Sequence, residues 1–168
     1  MIISGCMTAK EKSIDRNAVG LAFPEKDLIG EYEGTGIYKK AGTKKSDSIT
    51  ASMYGYIEND ILMFQEKIRY EKSGRQTTNT YRININPSSF TYGCTHVETD
   101  TECQLKRAEN RIILESYELV ISDNKTRTVN PRQVYHVMDN GKIYKVTTKD
   151  KFSYIFSSKE EITYSKTK

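Results

Sequence analysis

Leu28-Ile29-Gly30-Glu31-Tyr32-Glu33-Gly34-Thr35-Gly36-Ile37-Tyr38 is the stretch that decides the fold. Leu28, Gly30, Tyr32, Gly34, Gly36 and Tyr38 fall on one face of an extended chain, and Glu31, Glu33 and Thr35 on the other. A repeat of two residues marks a half-buried antiparallel strand. Residues without a Cβ let such a strand bend at a barrel corner or let another backbone approach closely.

The same period continues downstream. Ile49, Ala51, Met53, Gly55 and Ile57 alternate with Ser48, Thr50 and Ser52. Leu62, Phe64, Ile68 and Tyr70 share a face that Glu66 interrupts, and Tyr81, Ile83 and Ile85 alternate with Arg82 and Asn84. Turn residues separate these runs at Glu58-Asn59-Asp60, Lys72-Ser73-Gly74-Arg75 and Asn86-Pro87-Ser88. Further on, Glu109-Asn110 and Ser122-Asp123-Asn124 bracket a strand over 111–121. Asn140-Gly141 suits a type I′ hairpin turn between strands at 133–138 and 142–148. A last strand is predicted over 151–156, extended by Ile162 to Tyr164. About nine short strands in hairpin order predict an all-β, antiparallel up-and-down barrel or a sandwich. A barrel also removes the exposed edges of a long meander. The domain is predicted over 28–168, after a flexible tether at 1–27 that is too polar to fold alone.

The opening Gly30-Glu31-Tyr32-Glu33-Gly34-Thr35-Gly36 resembles the first strand of the lipocalin and wider calycin group, which begins Gly-x-Trp, with Tyr32 in place of the Trp. From Leu28 to about Arg82 the order of strands and turns is similar to that of uncharacterised bacterial envelope lipoproteins with calycin-like barrels. The resemblance implies a lipocalin-like barrel with an internal cavity, in which Gly30, Tyr32, Gly34 and Gly36 are structural. It also implies a basic residue from a late strand packed across Tyr32, for which Lys145 and Lys151 are the candidates. It carries over no ligand.

Ile3-Ser4-Gly5-Cys6 has the form of a bacterial lipoprotein cleavage site, and only Met1, Ile2 and Ile3 stand before it. On this reading Cys6 is lipidated and the protein sits in the bacterial cell envelope, facing the periplasm and joined to a membrane by its lipid anchor. The alternative is a cytosolic chain with one free cysteine. Three cysteines are consistent with the first reading if Cys94 pairs with Cys103. With Glu98-Thr99 as a two-residue loop, Cys94 faces Cys103 across a hairpin with Cα atoms about 4.5 Å apart, within disulfide range. An oxidising compartment would keep that bond and the cytosol would reduce it.

Twenty-six basic and 22 acidic residues leave a net charge of +4. That mild excess, with signs interspersed, does not point to a nucleic-acid partner. Lys39, Lys40, Lys44 and Lys45 flank a turn and read as a solvated loop tip. No phosphate loop, zinc spacing or nucleophile elbow occurs, so no catalytic residue, metal site or cofactor is assigned. Glu66 and Glu118 sit among apolar strand residues. Either could face a cavity, but an outward or rim position is expected for both, because Glu is rarely buried unpaired. His96 shares a face with Phe90, Tyr92 and Cys94, and His136 with Val134 and Met138, so either could point inward. With no Trp in the chain, twelve Tyr supply bulk. Tyr81, Tyr92, His96, Tyr135 and His136 are the candidate ligand-binding residues, each tyrosine offering an apolar wall and one hydroxyl. The expected role is binding of a small apolar molecule. The alternatives are an interaction module with a filled barrel, or a haem-binding or isomerase-like barrel.

Overall fold

The computed structural model describes residues 25–85, 93–108, 110–116, 118–122, 125–129, 131–149 and 157–167. The strands of the first half are β1 (Gly30–Lys39), β2 (Ser46–Glu58), β3 (Ile61–Tyr70), β4 (Gln76–Asn84), β5 (Cys94–His96) and β6 (Thr101–Ala108). Those of the second half are β7 (Arg111–Ser116), β8 (Glu118–Ser122), β9 (Lys125–Val129), β10 (Pro131–Val137), β11 (Ile143–Lys149) and β12 (Ser158–Lys166). Ten of them form a closed antiparallel barrel in chain order, with β8 and β9 set aside as a separate hairpin between β7 and β10. The barrel closes where β1 pairs with β12, from Tyr32↔Lys166 to Lys39↔Lys159.

The alternation in β1 to β3 is realised as the sequence predicts. In β2, Asp47, Ile49, Met53 and Gly55 are buried while the residues between them are mostly exposed. The strand count differs: ten in the barrel rather than about nine, where lipocalins have eight. Two elements account for much of the difference. The run 111–121 is not one strand: its first half stays in the barrel as β7 and its second half leaves as β8. The closing strand is β12, which a short extension at Ile162 to Tyr164 underestimates, because Lys159, Glu160 and Glu161 mask its alternation. The strand predicted at 151–156 lies outside the described residues.

Turn chemistry is also redistributed. Asn59 and Asp60 both have positive φ, 48° and 62°, and join β2 to β3 directly through Glu58↔Ile61. That is a type I′ turn made without glycine. At 139–141 the loop has three residues. Gly141 (φ 75°) takes the left-handed position, and the Met138 amide donates to Lys142 O at 2.8 Å. Between β5 and β6 the loop is Val97–Asp100, four residues rather than two, but Cys94 still opposes Cys103. The two cysteines form a disulfide with Cα atoms 5.0 Å apart.

One end of the barrel is plugged. A 3-10 turn at Glu25–Leu28 folds under β1, and Leu28 is completely buried. The Tyr32 ring is 3% exposed, and its hydroxyl donates to the carbonyl oxygen of Asp27. Burial, then the neighbouring Asp27 carboxyl, pushes the Tyr32 phenol up. Lys145 does not reach this ring. The cation over it is Lys166 of β12, 5.7 Å from the ring centroid. The expected geometry is therefore met by a different lysine, and Lys151 lies outside the described residues. The space left by glycine serves another ring. A Cβ at Gly34 would fall 2.7 Å from Tyr164 Cδ1, and one at Gly36 would fall 2.0 Å from Glu161 O. Above the plug Leu62, Phe64, Ile83, Ile112, Leu114, Ile143 and the disulfide fill the interior.

Candidate functional site

Toward the other end the inward face turns polar. Inward positions of β3, β11 and β12 bring Glu66, Lys145 and Glu160 together. They are 0%, 1% and 7% exposed, so this is a buried ion-pair triad. Glu66 is not outward or on the rim as expected. It is the most enclosed acid in the barrel because it has partners: the Lys145 ammonium, the Tyr164 hydroxyl and, at 3.4 Å, the Asn79 side-chain amide. Removing ions from water costs several kcal/mol each unless partners replace the lost hydration, and this network supplies them. Lys145 Nζ also lies 3.4 Å from Glu160, which accepts from Tyr70 at 2.5 Å and Thr147 at 3.3 Å.

Above the triad the barrel holds a cavity of about 150 Å³. Tyr38, Tyr70 and Tyr81 give it aromatic walls, and Asn79, Gln133, Thr147 and Glu160 contribute polar side chains to its lining. Arg75 forms part of the mouth. The turn after β3 places it there: the Tyr70 amide donates to Arg75 O at 2.9 Å. The Asp47 carboxylate caps the same turn by accepting from the Lys72 and Ser73 amides at 2.7 and 3.2 Å. The bond from the Lys72 amide, more than any other influence, holds the Asp47 carboxyl below its ordinary range. The Arg75 guanidinium then lies beside two aromatic rings, its central carbon 3.9 Å from the Tyr70 centroid and 5.5 Å from that of Tyr38. Contacts of this kind are worth about 0.5–2 kcal/mol.

The interior tyrosines are held neutral. Burial first, then the Glu66 carboxylate, raises the phenols of Tyr81, Tyr135 and Tyr164, and burial and Glu160 raise Tyr70. Gln133 links two of them. It donates to the Tyr81 hydroxyl and accepts from Tyr135 at 3.0 Å. Phe64 stacks on Tyr81 with centroids 4.9 Å apart, fixing that ring.

The residues predicted to bind ligand divide. Tyr81 and His96 line the cavity. Tyr135 is inward but sits below it, 1% exposed against Phe64. His136 faces outward, because the inward phase of β10 is Gln133, Tyr135 and Val137, and its Nε2 lies 2.7 Å from Asn110 Nδ2. Val134 and Met138 share that outer face. Tyr92 and Cys6 lie outside the described residues. His96 contacts Thr99 Oγ1 at 2.7 Å through Nδ1 and Asn79 Oδ1 at 3.3 Å through Nε2. Both ring nitrogens are thus engaged, and Cys94 is committed to the disulfide. Among the described residues no three His, Cys, Asp or Glu side chains converge as metal ligands. Glu66, Lys145, Glu160, Arg75 and Gln133 are the site residues that the sequence reading missed. For the four on strands the signal available was the phase of each within its own strand; Arg75 lies in the turn between β3 and β4, where no phase marks it.

The chain is thus a closed, ten-stranded antiparallel β-barrel with a polar cavity at one end. No protein-family model and no curated protein matches it. Among solved structures, the crystal structure of Rv2717c from M. tuberculosis is similar, with a TM-score of 0.55 over 89% of this chain and 100% of that one. The two share 12% sequence identity, a level at which the likeness concerns the fold.

Proposed function

We propose that this protein is a small-molecule-binding barrel of the bacterial cell envelope whose ligand is compact and hydrogen-bonding. One observation carries the reading: a closed barrel keeps a cavity of about 150 Å³ lined by polar side chains whose directions are fixed by their own partners. A space of that size takes a benzene-sized molecule. It falls short of the roughly 300–1,000 Å³ usual for larger ligands. Its lining turns the expected apolar ligand into a polar one. The calycin-like opening at Gly30–Gly36 supports the grouping with ligand-carrying barrels. The Cys94–Cys103 disulfide supports an oxidising compartment, and with it lipidation at Cys6.

Native mass spectrometry of protein purified from its own cells tests the cavity. A single compact adduct, extractable and exchangeable, is the expected result. An empty barrel that no polar metabolite stabilises would instead favour the interaction module, to which the filled lower half and the exposed Tyr54 and Tyr56 already lend support. The address is tested separately. Expressed with its upstream reading frame, the protein should take up palmitate and partition with membranes, and Cys6→Ser should abolish both. Recovery of unlabelled wild type from the cytosol overturns the envelope reading.

A further inference from the structure

The cavity also carries information about the charge of what enters it. The two places where a cationic ligand would be held are already taken by the protein's own cations. Lys145 Nζ occupies the site between the Glu66 and Glu160 carboxylates. The Arg75 guanidinium occupies the aromatic face of Tyr70 at the mouth. Glu66 and Glu160 exceed Lys145 by one negative charge. Arg75, at the mouth, offsets that deficit. Of the other acids nearby, Asp47 is turned away to the Lys72 and Ser73 amides, and Glu98 accepts from the Thr80 amide and hydroxyl and lies 3.5 Å from His96 Nε2.

Arg75 differs from Lys145 in one respect. Among the described residues no carboxylate bonds its guanidinium, whose contacts are the two tyrosine rings. A planar fork of N–H donors, held beside two tyrosine rings and bonded by no carboxylate among the described residues, matches a carboxylate edge-on. The ring walls and the benzene-scale volume limit the rest of the molecule to a small flat body of roughly six to ten non-hydrogen atoms. Resting on the reading of this cavity as a ligand site, we propose that its ligand is a compact organic monoanion, a flat body bearing one carboxylate that Arg75 grips at the mouth.

Three probes of one shape separate charge from fit: benzoate, the neutral benzamide and the cationic benzylammonium. Each is titrated into wild type, Arg75→Gln and Arg75→Lys, with affinity read from the tyrosine-ring NMR signals and folding checked by thermal melting. Arg75 is solvent-exposed, so its variants should fold. The expected result is that benzoate binds most tightly, that Arg75→Gln weakens it roughly ten- to a hundredfold, the scale of a lost charge-assisted hydrogen bond, and that Arg75→Lys restores it only in part. Benzamide or benzylammonium binding as tightly as benzoate, or benzoate binding equally to Arg75→Gln, overturns the anion and leaves the cavity reading standing. Failure of all three probes to bind overturns both.

Discussion

Replacing Lys145 by Met keeps the length and apolar body of the side chain and deletes the ammonium. Two carboxylates, Glu66 and Glu160, then remain in a space where neither is more than 7% exposed. Breaking a buried pair from one side costs about 3–5 kcal/mol, because the remaining charge has nothing to replace its hydration. For a domain of this length, at about 2–4 °C per kcal/mol, the melting temperature should fall by roughly 6–20 °C. Glu66→Leu alone should cost a similar amount, since it leaves Lys145 with only Glu160 at 3.4 Å and the Tyr164 hydroxyl without its acceptor. The double variant decides the matter. Removing both leaves one buried carboxylate, Glu160 with its Tyr70 and Thr147 bonds, in place of two facing carboxylates or a half-paired ammonium, so Glu66→Leu with Lys145→Met should cost less than the two singles together, with a coupling on the order of 2 kcal/mol. Urea unfolding of the four proteins at neutral pH measures it. Additive losses, or a Lys145→Met variant within about 1 kcal/mol of wild type, would show that the two groups are solvated and that the triad does not exist.

Three other perturbations have clear expected outcomes. Reducing the Cys94–Cys103 bond, or Cys94→Ala with Cys103→Ala, should cost roughly 2–3 kcal/mol, because the closed loop is short; two freely alkylated thiols in protein taken from an oxidising compartment would contradict the pairing. Tyr32→Ala should cost about 3–5 kcal/mol, as for other buried aromatics, while Tyr32→Phe loses only the hydroxyl, shared between Asp27 O and, at 3.3 Å, Ile29 O, about 1 kcal/mol; equal losses would mean that the ring contributes nothing. The phenols of Tyr70, Tyr81, Tyr135 and Tyr164 are raised, and that of Tyr144 is pushed up to about 12 chiefly by its bond to Glu161. A folded-state value above the unfolded one of about 10 gives stability that is complete below pH 10 and lost as pH rises past it. Ultraviolet titration should therefore show exposed tyrosines ionising first and the interior ones only on unfolding, and a single reversible midpoint for all would refute this.

The barrel was legible wherever one face is uniformly apolar. β1 and β2 alternate without interruption, so their inward residues could be read directly. The site was not legible for the same reason. Its residues are the charged exceptions to the pattern, and a single exception looks like a solvent-facing residue. Glu66 between Phe64 and Ile68, Lys145 between Ile143 and Thr147, and Glu160 before Ile162 each occupy the inward phase of their strand. Taken together, two acids and one base at inward phase form a compensating set, and that compensation is what removes the objection to burying Glu66. The outward placement of His136 follows from phase as well. It is adjacent in sequence to Tyr135, and in a strand adjacent residues cannot share a face. The disulfide survived an incorrect loop length, because the four-residue loop keeps Cys94 opposite Cys103.

The pairing of β1 with β12 has a consequence for how the molecule is made. As the chain leaves the ribosome, β1 through β11 can form an open sheet, β10 pairing back to β7 across the β8–β9 hairpin, but its two edges stay unprotected. Its ion-pair triad is incomplete until Glu160 arrives, and the Tyr164 hydroxyl is not yet there for Glu66. The seam then joins residues more than a hundred positions apart, as in the 2.8 Å bond from the Thr167 amide to Glu31 O. Contacts of such long range form late and slowly, and an open sheet waiting for them is prone to pair with other copies. Ribosome-stalled chains ending before Ser158 should therefore be protease-sensitive and aggregation-prone, with protection appearing in one step once β12 is released.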